Sequence, residues 1–274
     1  MKVHHLNCGT MCPRGAFALG GRLGQPIDMC CHVLLVETDR GLVLVDTGLG
    51  EADVRERAAR LGSGFCFLTR PRLSIDETAA ARVHALGFSV EDVRHVVVTH
   101  LDVDHAGGIP DFPHADVHVF FAEHRAAMSR ATAKARNRYV PAQWAHHVRW
   151  KLHDELAGER WFGFECVRTL GELAPDVLLV PLLGHSAGHC GVAVRGERSW
   201  LLHAGDAYFH RHEMTPPDYR GPWGFEVFQR LVGHDMRQRV ANQQRLRELC
   251  REHAGEVNVF SAHDPVELAA LRGS

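Results

Sequence analysis

The sequence predicts a mixed α/β (α+β) fold in which two β-sheets pack face to face between outer layers of helices, an αββα sandwich. Two observations support this prediction. Strand-like runs followed by helix-like runs occur twice along the 274 residues, and many strand-like runs end in short polar loops. A chain of this length suits one large domain, so we expect a single unit over residues 1–274.

The first half of the chain predicts one set of strands and helices. Period-2 apolar runs indicate the strands, and 3.6-period runs between glycine or capping signals indicate the helices. Ser74 and Glu77 have the spacing of a capping box, which predicts that a helix begins there. The predicted strands cover residues 3–7, 31–37, 42–45, 96–98 and 117–120, and the predicted helices cover 51–61, 74–87 and a segment from about 123.

The second half of the chain predicts another set of strands and helices. Its strand-like runs are again short and apolar, and one amphipathic helix is expected to be long. The predicted strands cover residues 177–181, 190–194, 200–202 and 257–260, and the helices cover about 225–253 and a short C-terminal segment.

Two connecting segments are rich in aromatic residues and proline, at about 139–163 and 208–225. Long connections of this kind often cover a binding pocket, so we consider a lid or insert. A small separate core and a dimer contact stay open as alternatives. If the segments line a pocket, the expected substrate contacts are Trp144, Trp161, Phe209 and Trp223.

Composition excludes several classes of protein. The net charge is −2 and 45% of residues are hydrophobic, which argues against nucleic-acid binding and against disorder. No run reaches the roughly 18 apolar residues of a membrane helix, and the N-terminus has no signal-like apolar core. We therefore expect a cytoplasmic protein with reduced cysteines. A separate zinc site at Cys8, Cys12, Cys30 and Cys31 is an alternative with non-standard ligand spacing.

The segment Thr99–Gly108 carries the strongest chemical signal. It has four possible metal ligands within six residues, directly after an apolar strand: His100, Asp102, Asp104 and His105. Single histidines are weak evidence here, since the chain has 21 of them. Four ligand-type side chains at the end of a buried strand, however, would be costly to desolvate unless something paired them. The segment therefore predicts binding of two divalent ions.

Three further strands end in ligand-type residues. His185 and His189 follow the apolar run 177–183, Asp206 follows the strand at 200–202, and His263 follows the strand at 257–260. Loops at strand ends are where rigid sheets commonly carry their chemistry.

These signatures, in this order, resemble the metallo-β-lactamase fold superfamily, whose main motif is His-x-His-x-Asp-His. The resemblance covers most of the chain and implies the four-layer αββα sandwich. It implies a first metal held by His100, Asp102 and His185, and a second held by Asp104, His105 and His263. Asp206 would stand between the two ions. The resemblance also places Asp46, in the run Val43–Gly48, behind the ligands, and we expect His189 there too.

Asp102 stands where most members of that family have a second histidine. A carboxylate is a harder ligand than imidazole, so it shifts preference from zinc toward manganese or iron without excluding zinc. Two divalent ions carry four positive charges, and three aspartates with one hydroxide carry four negative charges. The resulting neutral core favours esters and lactones over phosphodiesters.

The GHSAGH and GDA segments are most similar to the acyl-homoserine lactonases. That similarity implies a lactone or another carboxylic ester as substrate, attacked by a hydroxide between the two ions. Asp104 would guide this hydroxide and pass a proton to the leaving oxygen. Lactonases have a tyrosine three positions after the bridging aspartate. Here that position is Phe209, so Tyr208 is the candidate oxyanion helper, with a core tyrosine as the alternative.

The sequence thus predicts a binuclear metal-dependent hydrolase with a small-molecule substrate and two divalent ions, zinc first and manganese or iron as alternatives. No nucleic acid or membrane partner is expected, and the protein would be a monomer or homodimer. Three alternatives stay open: a phosphodiesterase or another hydrolase of this fold, a diiron redox protein related to flavodiiron proteins, and a non-catalytic metal-bearing sensor. Against the diiron alternative, this sequence shows no flavin-binding domain of the kind that delivers electrons in flavodiiron proteins.

Overall fold

The computed structural model describes residues 1–22, 26–154, 156–170 and 176–272. Within these ranges the strands are β1 (Lys2–Met11), β2 (Met29–Thr38), β3 (Gly41–Val45), β4 (Val93–Val97), β5 (Asp116–Phe120), β6 (Arg149–His153), β7 (Glu159–Trp161), β8 (Phe164–Thr169), β9 (Val177–Pro181), β10 (Cys190–Arg195), β11 (Trp200–His203) and β12 (Val257–Phe260). The α-helices are α1 (Glu51–Arg55), α2 (Arg57–Arg60), α3 (Ser63–Thr69), α4 (Ala79–Ala85), α5 (Val103–Ala106), α6 (Phe121–Ser129), α7 (Ala133–Arg138), α8 (Trp223–Val232), α9 (Met236–Glu252) and α10 (Pro265–Arg272).

The strands form two six-stranded sheets with the orders β1-β2-β3-β4-β5-β6 and β12-β11-β10-β9-β8-β7. In the first sheet, β1, β2 and β3 are antiparallel neighbours, whereas β3, β4, β5 and β6 run parallel. Among the described residues of the second sheet, β11 and β12 are the one pair of parallel neighbours. Because β10 is antiparallel to both β9 and β11, these two strands run in the same direction as β12.

Three apolar layers hold the sandwich together. Valines and leucines of both sheets, such as Val45 and Leu179, form the core between the sheets. On the outer face of the first sheet, Val83 of α4 packs in a second core. Leu246 and Leu249 of α9 pack in a third core on the outer face of the second sheet. Strand residues alternate between the two cores that flank each sheet, as period-2 geometry requires. The predicted αββα arrangement is confirmed.

The sheet directions bring the ligand-bearing loops together. The segments that carry Asp46 and His100 follow the parallel strands β3 and β4, so they leave the first sheet at one edge. The segments that carry His185, Asp206 and His263 follow β9, β11 and β12, which share one direction. Two sets of strand ends therefore meet at one rim of the sandwich.

One predicted helix is two. The segment expected to be helical from about 225 to 253 breaks at Gly233, where α8 ends, and Asp235 then caps α9 by accepting from the N–H groups of Arg237 and Gln238. At this break, the N–H groups of His234 and Asp235 donate to the carbonyl of Gly184 at 2.8 and 2.9 Å. Hydrophobic periodicity missed the break because it runs through both helices.

The helix predicted from Ser74 also begins later. Ser74 makes no capping bond and leads into a short 3-10 helix, Ile75–Glu77. Thr78 is the cap of α4, because its hydroxyl oxygen accepts from the N–H of Ala81 at 3.2 Å. The predicted helix at 51–61 is divided at Glu56 into α1 and α2.

The aromatic segment at 139–163 supplies an edge strand to each sheet, β6 to the first and β7 to the second. Trp144 and Trp150 pack against the outer core of the first sheet, and Trp161 packs against that of the second. Residue 155 lies outside the described residues. In the described part, these three tryptophans therefore contribute to core packing.

No helix in the described part of the chain is long and apolar enough to cross a bilayer. Seven cysteines there are free thiols: Cys8, Cys12, Cys30, Cys31, Cys66, Cys190 and Cys250.

A buried ion pair fixes the loop beneath the metal motif. The carboxylate of Asp53 accepts from the guanidinium of Arg60 at 2.8 Å, from the side-chain amide of Gln143 at 2.9 Å and from the N–H of Gly50 at 2.9 Å. It also lies so close to Gly107 that a Cβ there would meet its Oδ2 at 2.1 Å. Removing one partner of a buried pair leaves an uncompensated charge.

We therefore expect Arg60→Ala to lower the free energy of unfolding by about 3 kcal/mol, since Asp53 would remain buried without its cation. Urea denaturation followed by circular dichroism measures this. The control is Arg57→Ala, an exposed arginine of the same short helix, which should change stability by less than about 0.5 kcal/mol. Equal losses of unfolding free energy in the two variants would contradict a stabilising role of the buried Asp53–Arg60 ion pair.

Candidate metal centre

Asp46 clamps the start of the metal motif. Its carboxylate accepts from the N–H of Thr99 at 2.7 Å and from the Thr99 hydroxyl at 2.9 Å, and Nδ1 of His105 donates to it at 2.8 Å. The residue is fully buried and has a φ of 58°, which turns the chain directly after β3. These bonds fix the ring of His105 with Nε2 pointing into the site, as expected for a residue behind the ligands.

One group of potential ligands comes from the ends of β4, β9 and β11. It contains His100, Asp102, His185 and Asp206, whose ligand atoms all lie within 4.8 Å of one another. Oδ2 of Asp102 is 3.3 Å from Nε2 of His100 and 3.2 Å from Nε2 of His185. Donor atoms that share one ion through bonds of about 2.0–2.1 Å in a tetrahedral arrangement lie roughly 3.3 Å apart. The spacing of this group therefore suits a divalent ion.

A second group faces the other side of Asp206. It contains His105, Asp206 and His263, again within 4.8 Å, and Asp104 joins it through an Oδ2 that is 3.6 Å from Nε2 of His263. Nε2 of His105 and Nε2 of His263 are 3.3 Å apart. The structure thus brings all seven sequence-predicted ligands to one place.

The two oxygens of Asp206 divide between the groups. Oδ2 lies 3.4 Å from Nε2 of His185 and 3.9 Å from Nε2 of His100. Oδ1 lies 3.2 Å from Nε2 of His105 and 3.0 Å from Nε2 of His263. A carboxylate oriented in this way can bridge two ions.

Backbone groups orient the remaining ligands. His263 donates from Nδ1 to the carbonyl of Cys30 at 2.8 Å, which directs its Nε2 toward Asp206. His189 donates from Nδ1 to the carbonyl of Leu182 at 2.9 Å, and its Nε2 accepts from the N–H of Asp206 at 2.9 Å. His189 therefore lies behind Asp206 and fixes its backbone.

The electrostatics of the site favour charged carboxylates. Burial alone would raise the pKa of Asp206, but the charges of His263 and His105 more than offset it and hold that pKa well below its usual value. Burial also opposes ionisation of Asp102, and Arg138 and His100 hold its pKa well below the usual value. Burial, followed by the charge of Arg138, lowers the pKa of His185 to about 4, which leaves the imidazole neutral and able to bind a metal.

The residues fit a pair of divalent ions. Nε2 of His100 and Oδ1 of Asp206 are buried and make no hydrogen bond within the described part of the chain. Buried polar atoms are nearly always hydrogen-bonded, so such atoms need an explanation, and an ion is one. Imidazole nitrogens and carboxylate oxygens are the donors that zinc, manganese and iron accept.

Glu123 joins the two ligand loops, and sequence reasoning missed it. Its carboxylate accepts from the N–H of Leu101 at 3.1 Å and from the hydroxyl of Tyr139 at 3.0 Å. It also accepts from the Ser186 hydroxyl at 2.6 Å and from the N–H of Gly188 at 2.9 Å. No sequence motif predicts this role of Glu123, because an acidic residue in the first turn of a helix is common.

Cys31 also lies beside the site. Its thiol is buried within 4.8 Å of ligand atoms of Asp104 and His263. From its sequence position, Cys31 was expected at a metal site only together with Cys8, Cys12 and Cys30, and these four cysteines are not among the candidate metal groups of the described residues.

A cavity of about 640 Å³ opens onto Asp102, Asp104, His185, Asp206 and His263. Its walls are mostly apolar and include Met29, Phe65, Phe225 and Phe228. Of the four predicted substrate contacts, Phe209 and Trp223 line this cavity, whereas Trp144 and Trp161 are not among the residues that line it. The ring of Phe209 stacks on that of His263, with centroids 5.3 Å apart.

Tyr208 does not face the site, which corrects its expected role as an oxyanion helper. It is fully buried in the outer core of the second sheet, and its hydroxyl donates to the carboxylate of Glu267 at 3.0 Å. Tyr208 is therefore a core tyrosine, which was the alternative role that its sequence position left open. The next residue, Phe209, lines the cavity instead.

Residues 30–245 match the family described as the Metallo-beta-lactamase superfamily, and the chain belongs to this family. It is a metal-dependent hydrolase of that fold. The chain is 43% identical over 265 residues to a Mycobacterium tuberculosis protein named "Probable metallo-hydrolase", which covers 97% of this chain and 81% of the relative. It is 24% identical over 242 residues to an N-acyl homoserine lactonase of Bacillus thuringiensis, covering 88% and 84% of the two chains.

The solved structures give the same fold. An N-acyl homoserine lactone hydrolase, solved with the product N-hexanoyl-L-homoserine bound at its catalytic metal center, superimposes with a TM-score of 0.71. The two chains are 22% identical, and the match covers 98% of this chain and 95% of the other.

We expect Tyr208→Phe to leave kcat and KM within about twofold, because the hydroxyl points away from the cavity. The lost bond to Glu267 should lower the free energy of unfolding by about 1 kcal/mol. Phe209→Ala is the matched comparison at the adjacent position, and it should raise KM by removing cavity wall. A tenfold loss of kcat in Tyr208→Phe would restore the oxyanion role. Steady-state kinetics on a hydrolysed ester measures both.

Glu267 predicts a pH dependence of stability. Burial raises its pKa from 4.5 to about 7, so the folded state keeps a proton that the unfolded chain releases above pH 4.5. The stabilisation is complete below pH 4.5 and is lost as the pH rises through 7, a change of about 3 kcal/mol. In metal-free protein, Glu267→Gln should therefore become more stable relative to the wild type between pH 5 and pH 8.

Urea denaturation at several pH values in this range measures that difference. Glu197→Gln, at an exposed position, is the control and should show a difference that does not change with pH. A pH-independent difference for Glu267→Gln would show that this carboxyl is already ionised at pH 5.

Proposed function

We propose that this protein is a binuclear metal-dependent hydrolase that cleaves a lactone or another carboxylic ester. The observation that carries the proposal is the division of the Asp206 carboxylate, with one oxygen toward His100 and His185 and the other toward His105 and His263. Similarity to lactonases in sequence and fold supports the substrate class.

His100, Asp102 and His185 would hold one ion, Asp104, His105 and His263 the other, and Asp206 both. When bound, such ions lower the pKa of a coordinated water and polarise the substrate carbonyl. Zinc is the first candidate because four of the seven ligands are imidazoles, and the three carboxylates keep manganese and iron as alternatives.

Asp104 is the proposed proton carrier. It lines the cavity, and its Oδ2 is 3.6 Å from Nε2 of His263. From this position its carboxylate can take a proton from the attacking water and pass it to the leaving oxygen of the ester. No serine or cysteine nucleophile is required.

The apolar wall of the cavity is the proposed site for the acyl part of the substrate. Phe209, Phe225 and Phe228 form one side of it, and Trp223 stands at the mouth with a side chain that is 61% exposed. A cavity of this size and polarity suits a small molecule with an apolar chain. The cytoplasmic location stays a prediction.

Asp206→Ala should abolish metal binding and hydrolysis together, with a loss of more than about 100-fold, because the variant removes a donor from both groups. Metal content by mass spectrometry and a panel of lactones, aryl esters, phosphodiesters and β-lactams measure the two effects. Asp218→Ala, at an exposed position, is the control. Activity that survives the loss of metal would contradict the proposed function, and a preference for phosphodiesters would overturn the substrate class.

A further inference from the structure

Arg138, the last residue of α7, lies beside the first ligand group and lines the cavity. Its side chain is only 10% exposed, and its Nε is 3.5 Å from Oδ1 of Asp102. Two other nitrogens donate to backbone carbonyls, one to His185 at 2.9 Å and one to Val232 at 2.7 Å. The guanidinium is therefore held in place from three directions.

The carboxylate of Asp102 is divided between this arginine and the ligand group. Oδ2 lies 3.3 Å from Nε2 of His100 and 3.2 Å from Nε2 of His185, whereas Oδ1 faces Arg138. Oδ1 is buried and makes no geometrically complete hydrogen bond in the described part of the chain. Its close cation is Arg138, so one oxygen is left for a metal and the other meets a fixed positive charge.

The arginine changes the charge of the site. Counting the ions, three aspartates and one hydroxide alone gives a neutral centre, as in the sequence analysis. Arg138 adds one positive charge that this count omitted. Asp102 and Arg138 together are neutral, as a histidine ligand would be.

We propose that Asp102 and Arg138 act as one charge-neutral unit, in which Arg138 is a positioning residue that orients the carboxylate and keeps the centre positively charged. The inference depends on the metal binding proposed above, but not on the substrate. It explains how the site accommodates a third carboxylate without losing positive charge.

A test follows from the anchoring of the guanidinium. Its bonds to the carbonyls of His185 and Val232 do not involve Asp102, so they would hold it in place in Asp102→His. In that variant a neutral imidazole would stand beside an uncompensated cation, which repels the metal. In Asp102→His, removing the charge of Arg138 should therefore improve metal binding. With Asp102 present, the same change also frees the carboxylate from the residue that orients it, so no such improvement is expected.

The experiment is a double-mutant cycle on Zn²⁺ affinity, measured by competition with a chromophoric chelator on metal-free protein. We expect Asp102→His with Arg138→Gln to bind Zn²⁺ at least about tenfold more tightly than Asp102→His alone. Arg138→Gln in the Asp102 background should bring no such gain. Asp102→His with Arg138→Lys keeps the charge and should show no rescue.

A purely structural role for Arg138 predicts a different pattern. Its loss would then weaken Zn²⁺ binding in both backgrounds alike, and this result would overturn the inference. Arg136→Gln is the control, because Arg136 lies in the same helix and its guanidinium donates to the carbonyls of residues 130 and 131. It should change the affinity less than about twofold in either background.

Thermal melting of each metal-free variant establishes that it is folded, and Arg138→Met replaces Arg138→Gln if the latter does not fold. The two proposals fail separately. If the wild type binds none of Zn²⁺, Mn²⁺ and Fe²⁺, the proposed function and this inference both fall. If the wild type binds Zn²⁺ but Arg138→Gln does not rescue Asp102→His, only the inference falls.

Discussion

The structure depends on keeping ionised aspartates buried at the place where two sheets end. Asp46 and Asp206 are almost completely buried, and an isolated carboxylate is costly to remove from water. Each is stabilised by imidazoles or by N–H donors that come from a different strand end. Because these partners come from both sheets, the site forms only when the sandwich is complete. The fold and the chemistry therefore impose the same requirement on the chain.

Residues outside the ligand set fix the loops that carry the ligands. Glu123 joins the loop after β4 to the loop after β9, and the break between α8 and α9 donates two N–H groups to Gly184 beside His185. Gly184 has a φ of 127°, and a Cβ there would meet the N of Arg239 at 2.3 Å, so only glycine fits. The His185 loop is thus fixed from both sides. A helix break that looks like an irregularity of the fold has a positioning role.

The sequence predicted most of the strands and all seven candidate ligands because both depend on local order: an apolar run followed by ligand-type residues. It failed where the deciding contact is distant. Ser74 and Glu77 have the spacing of a capping box, but the Glu77 carboxylate accepts from the hydroxyl of Thr10 in β1, and Thr78 caps α4. Tyr208 was placed at the site from its position relative to Asp206, yet its hydroxyl bonds to Glu267 in the outer core. Glu123 and Arg138 belong to no motif, and only the folded chain brings them to the ligands.

Arg138 also changes the charge that a substrate would meet at the site. The neutral centre counted from the ligands alone disfavoured phosphate anions, and the positive charge beside Asp102 removes that reason. The proposed preference for an ester then depends on the cavity, whose walls of Met29, Phe209, Phe225 and Phe228 suit an apolar acyl chain better than the charged backbone of a phosphodiester. Lys134 and Arg14 also line this cavity, so an ester that carries an acidic group would be compatible with it. The charge of the ligand groups and the polarity of the cavity walls are separate constraints, and the proposed ester selectivity depends on the walls.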